Sequence, residues 1–112
     1  MTRLVLAVFV LATPAWALSP EAQEFMAISK QLEPVQCQKR KLRREIALAE
    51  AERRDGDARS LRKKFALLNK DAETARLEKR LAQLEPRLAG SKDAEDLEAI
   101  NRQRVQAFYR CE

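Results

Sequence analysis

Between Leu18 and Glu112 the sequence holds two glycines, Gly56 and Gly90, and three prolines, Pro20, Pro34 and Pro86. These residue types interrupt regular backbone, and their scarcity leaves long stretches free to fold without a break. The stretches are rich in Ala, Leu, Glu, Lys and Arg, which are good helix formers. None alternates apolar and polar positions with β-branched residues as a strand would. With 35% charged residues and only 5% aromatics, the chain has few bulky side chains for a thick core. The fold class expected is all-α: a small helical bundle or helical hairpin with coiled-coil character.

The first seventeen residues, MTRLVLAVFVLATPAWA, are of another kind. Arg3 precedes an apolar run from Leu4 to Ala12, and Ala15 and Ala17 flank Trp16 in an A-x-A pattern. This is the layout of a cleaved signal peptide, and the run is shorter than the roughly 20 apolar residues that span a bilayer. Residues 1–17 are therefore expected to be a leader cut between Ala17 and Leu18. Residues 18–112 then form a single helical domain in the periplasm or outside the cell.

Punctuation divides that domain into four expected helices. The first, about 20–33, opens with Ser19 as cap and Pro20 in its first turn, and Phe25, Ile28 and Leu32 mark one face. Pro34 is expected to break it. A second helix, about 34–54, carries Val35, Leu42, Ile46 and Ala49, with Gly56 closing it and Asp57 capping the next. Along the third, about 58–85, the apolar face changes sides at about 100° per residue. Leu61, Phe65, Leu68, Ala72 and Ala75 lie on one side, and Leu77, Leu81, Leu84 and Leu88 lie nearly opposite, so the two halves want different neighbours. At a heptad period Leu67, Thr74, Leu81 and Leu88 share a position, as in a short coiled-coil seam. The last helix, about 93–111, has Asp93 as cap, acidic residues first and arginines last, matching its dipole. Leu97, Ile100, Ala107, Phe108 and Cys111 share its inward face.

Cys37 and Cys111 are the only cysteines, and in an exported chain two cysteines commonly pair. Helices of the expected lengths, at about 1.5 Å per residue, leave Cys111 about 12 Å above Cys37, whereas a disulfide needs Cα atoms within about 7 Å. A shorter third helix, a kink at Pro86 or a tilted last helix would close the gap within one chain. A bond between two chains is the alternative.

The residues argue against catalysis. Without histidine the chain lacks the commonest general base and metal ligand. It has no Gly-rich phosphate loop and no GxSxG or HExxH, so no catalytic, cofactor or metal residues are assigned. Carboxylates among the arginines are expected in surface pairs such as Lys41 with Glu45 and Glu50 with Arg54. Charge is more informative. The net charge is +5, with Lys39, Arg40, Lys41, Arg43 and Arg44 in one cluster and Arg59, Arg62, Lys63 and Lys64 in another. If helices two and three pair, both clusters merge into one basic face that attracts anions. Nucleic acid is not an expected partner, because no aromatic residues are interleaved with the basic runs for base stacking.

The stretch CQKRKLRREIALAEAERRDGDARSLRKKFALL resembles the opening of the YqjC-type family of small exported helical proteins. The shared features are an early cysteine, a lysine soon after it, an Ile and Ala run, a Gly-containing polar turn, then Arg and Leu. The resemblance implies an exported helical protein and supplies no site residues, since that family's activity is not defined. This chain departs from it in placing its second cysteine at Cys111 rather than near Asp71 and Ala72.

The function expected is a non-enzymatic binding or chaperone-like module. Its basic face, with Lys39, Arg40, Arg43, Arg44, Arg62 and Lys63 as contacts, meets an anionic envelope component or an acidic protein. Peripheral membrane contact is compatible with this. One alternative is a structural coiled-coil subunit that forms a homodimer through Leu77, Leu81, Leu84 and Leu88. Another is an inhibitor of an envelope or secreted enzyme.

Overall fold

A computed structural model describes residues 18–111. The expected leader, residues 1–17, lies outside the described residues. Among those described are four helices and no strand: α1 Pro20–Ala51, α2 Asp55–Asn69, α3 Ala72–Ala89 and α4 Ala94–Arg110. The all-α expectation holds. Helix α1 is the spine. Helix α2 packs antiparallel on its later half, α3 continues down its earlier half, and α4 returns parallel to α1.

The breaks fall elsewhere than the glycines and prolines suggest. Pro34 lies inside α1 and Pro86 inside α3, so the expected break at Pro34 is corrected. Each proline denies a hydrogen bond to the carbonyl four residues earlier. Those carbonyls belong to Lys30 and Ala82, exposed residues where water can take the missing donor's place. Gly56 does not close the second helix but lies in the first turn of α2. Helix α1 ends at Ala51 instead: Arg54 N–H donates to the Ala49 carbonyl at 2.8 Å and Arg53 N–H to the Glu50 carbonyl at 3.1 Å. This pair of bonds is the Schellman arrangement, which requires a left-handed residue between them. Arg53, at φ 56°, occupies that place. A side chain costs about 1–2 kcal/mol in the left-handed region, so Arg53→Gly is expected to raise stability by about 0.5–1 kcal/mol. A urea midpoint that stays put or falls would show that the arginine side chain more than offsets its own strain.

A further break, between Asn69 and Ala72, divides the expected third helix in two. Asp71 caps α3, accepting from the Thr74 N–H at 2.9 Å and the Thr74 hydroxyl at 2.7 Å. The break falls where the apolar pattern changes sides. Leu67, in α2, is 66% exposed, so the heptad seam expected to link it with Leu81 and Leu88 is not formed.

The main core joins Ala22, Phe25, Ile28 and Leu32 of α1 to Leu77, Leu84 and Leu88 of α3 and Ile100 of α4, with Leu81 packed at its edge. The leucine stripe proposed for self-association is therefore spent inside the chain's own core. The reason is geometric: the shifted phase of α3 turns its leucines onto the early half of α1, where α4 also packs.

Helix α4 meets α1 in constant register. The Ser19 hydroxyl donates to Asp96 at 2.6 Å, Gln103 Nε2 to the Met26 carbonyl at 2.9 Å, and Arg110 Nε to Glu33 at 2.7 Å. Each step is seven residues on both helices, about one repeat of two parallel helices in steady contact. Asp96 is 1% exposed and also accepts the Ser19 N–H at 3.0 Å, so it ties the start of α1 to the first turn of α4. Arg110 holds the Glu33 carboxyl below its ordinary value, and Arg80, which reaches Glu24 at 2.6 Å, does the same there.

The ladder ends in the Cys37–Cys111 disulfide, with Cα atoms 5.5 Å apart. The bond is intramolecular. A shorter third helix, one of the expected remedies, has the wrong sign. The descending limb runs from Asp55 to Ala89, about seven residues beyond the expected 58–85. That removes about 10 Å at about 1.5 Å per residue.

Candidate functional site

Above the disulfide the molecule narrows to an arm made of the later half of α1 and α2. Residues 36–70 hold twelve basic and five acidic side chains. The remaining described residues hold nine basic and eleven acidic. All of the excess positive charge therefore sits on the arm, while the three-helix base is slightly acidic. The arm's own apolar contacts are few, with Leu42, Ala49 and Ala58 buried and Leu48 53% exposed.

The six expected contact residues are not equivalent. Lys39 is 5% exposed. Its ammonium donates to Glu78 of α3 at 2.7 Å and lies 5.9 Å from the Phe65 ring centre. It is thus a buried structural cation joining arm to base, and its expected role as a surface contact is corrected. Arg62 is exposed and paired with Glu50. The expected pairing of Glu50 with Arg54 gives way to this contact, and Arg54 instead binds Glu52 at 2.8 Å and Asp57 at 2.9 Å. Arg43 is exposed, with its guanidinium 5.2 Å from the Phe65 ring centre. Arg44 and Lys63 are exposed, and Arg40 is half-buried with its guanidinium 5.2 Å from the Phe108 ring centre.

The two basic clusters do not merge into one face. At about 100° per residue, Lys63 stands well away from Ala58 and Phe65, the positions of α2 turned toward α1. Arg43 and Arg62 share the Phe65 flank of the arm, and Arg40 and Arg44 share the flank above Cys37. The arm is basic around its circumference. Guanidinium groups displayed this way suit oxyanions, since their planar donors match carboxylate and phosphate geometry.

The root of the arm carries aromatic surface that the apolar spacing of the last helix does not predict. Phe108, expected to face inward, is 58% exposed, and Tyr109 is 71% exposed. Their rings meet edge to face, 5.7 Å between centres. Helix α4 gains its register from Asp96, Gln103 and Arg110, and that phase buries Ile100 while leaving Phe108 at the edge. Beside them, a cleft of about 390 Å³ runs below the disulfide, lined by Phe25, Arg40, Leu81, Glu85, Arg104 and Phe108 among others.

Comparison with known protein families, with curated proteins and with solved structures finds no match.

Proposed function

We propose that this protein is an exported, non-enzymatic binding module that engages an anionic partner through the arm of α1 and α2. The observation that carries this is the partition of charge: twelve basic to five acidic residues on the arm, against nine to eleven on the rest of the described chain. A concentration of one sign on a projecting element steers oppositely charged surfaces from a distance. The leader at residues 1–17 supports an envelope or extracellular setting, where anionic lipid, acidic glycan and acidic protein are the available partners. The self-association reading through Leu77, Leu81, Leu84 and Leu88 has less to support it, because Leu77, Leu84 and Leu88 are buried in the chain's own core and Leu81 packs at its edge.

The test is charge reversal at Arg43 and Arg44, both exposed. Each basic residue near an anionic surface contributes about 1 kcal/mol, so Arg43→Glu with Arg44→Glu should weaken binding to anionic vesicles or to polyglutamate by about thirty-fold or more. Wild-type binding should also fall as salt rises. Unchanged affinity in the double variant would end this reading.

A further inference from the structure

Arg40, Arg44 and Leu48 follow Cys37 at intervals of three, four and four residues, which places all four on one face of α1. Cys37 is the point at which α4 is fastened. The strip beyond it remains open: Arg44 is exposed and Leu48 is 53% exposed. At the foot of the strip stand Phe108 and Tyr109, with Phe108 against the Arg40 guanidinium. Among the described residues, no carboxylate pairs with Arg40 or Arg44. One edge of the arm thus carries two guanidinium groups without a carboxylate partner among the described residues, an aromatic pair and an exposed leucine, with the disulfide at its foot.

We propose that this surface docks on an anionic phospholipid bilayer, with Phe108 and Tyr109 entering the headgroup region and Arg40 and Arg44 binding phosphates. The proposal rests on reading the arm as an anion-binding element and adds which anion it meets and by which edge. Charge alone would suit any acidic partner. A bilayer interface also has a place for exposed aromatic side chains, where amphipathic rings settle at headgroup level, and stable attachment needs apolar and basic contributions together. The contact proposed is peripheral, and among the described residues no helix is long and apolar enough to cross a membrane. The disulfide is what keeps the aromatic pair beside the arginines.

Tyr109 is the chain's one tyrosine and Trp16 its one tryptophan, which makes a clean optical test available. In the exported protein, from which Trp16 is removed with the leader, Tyr109→Trp supplies the one tryptophan, and phosphatidylglycerol vesicles should shift its emission to the blue. Brominated acyl chains should then quench it. Neither phosphatidylcholine vesicles nor polyglutamate should do so. Separately, Phe108→Ser and Tyr109→Ser should each weaken binding to phosphatidylglycerol vesicles by about ten-fold and leave polyglutamate binding unchanged, with helicity by circular dichroism as in the wild type. Vesicle binding without a blue shift or quenching, and unaffected by the serine variants, would overturn the bilayer proposal while leaving the basic arm intact. Tight binding to polyglutamate with none to vesicles would overturn it in favour of an acidic protein. Failure of the Arg43→Glu and Arg44→Glu variant to weaken either interaction would remove the arm reading and this proposal with it.

Discussion

Replacing both cysteines, as Cys37→Ser with Cys111→Ser, should lower the free energy of unfolding by about 4 kcal/mol. The bond joins residues 74 apart in sequence, and the entropy it removes from the unfolded chain grows with the length of the loop it closes. The folded side of the equilibrium points the same way. Ile100 is the one α4 residue in the buried apolar cluster, while the other named ties of α4 to α1 are polar: Asp96 to Ser19, Gln103 to the Met26 carbonyl and Arg110 to Glu33. Exposed ion pairs like the last contribute about 0–1 kcal/mol. Helix α4 therefore depends on its two ends, the buried Asp96 at one and the disulfide at the other. The urea midpoint should fall markedly in the serine variant, and amide exchange should quicken first in the last turns of α4. An unchanged midpoint would mean that the bond is not formed, or that strain in the folded protein cancels its constraint on the unfolded chain.

How far the fold could be read ahead of the structure depended on which physical signal was followed. Helix identity followed from composition and apolar spacing, and Ser19 and Asp93 cap as their positions suggest. Glycine and proline alone do not set the boundaries, since Pro34, Gly56 and Pro86 all lie inside helices. Pro34 and Pro86 cost their helices a hydrogen bond each, but both helices bury apolar side chains before and after the proline, and that packing outweighs the loss. The real break before Asp71 carried two signals: an aspartate able to cap onto Thr74, and the change of apolar side between Leu68 and Leu77. The second was legible as a demand for different neighbours. Turning that demand into a break required knowing that α1 runs past α2 and offers α3 its own groove. For the surface, charge clustering along the sequence located the arm, but pairing decides which cations are free. Glu78, distant in sequence, takes Lys39 inside, and the phase of α4 brings Phe108 outside.

The same contrast fixes the second large effect. Leu84 and Leu67 look alike in the sequence, each part of a leucine-rich run in what reads as one long helix. Leu84 is 0% exposed in the core between α1, α3 and α4, whereas Leu67 is 66% exposed on α2. Leu84→Ala deletes buried methyl groups and leaves a cavity that three helices fastened to one another cannot easily collapse. It should cost about 3–4 kcal/mol, lowering the melting temperature by about 15 °C or more in a chain of this size. Leu67→Ala should change stability by no more than about 0.5 kcal/mol. Measuring both variants by thermal and urea unfolding separates the bundle from any fold in which residues 58–85 form one rod. In such a rod the leucines after the change of side would face away from the residues that cover Leu84 here, and the two substitutions would cost similar amounts. A large loss at Leu84 beside a negligible one at Leu67 is the result required by a chain that folds α3 back onto the early half of α1.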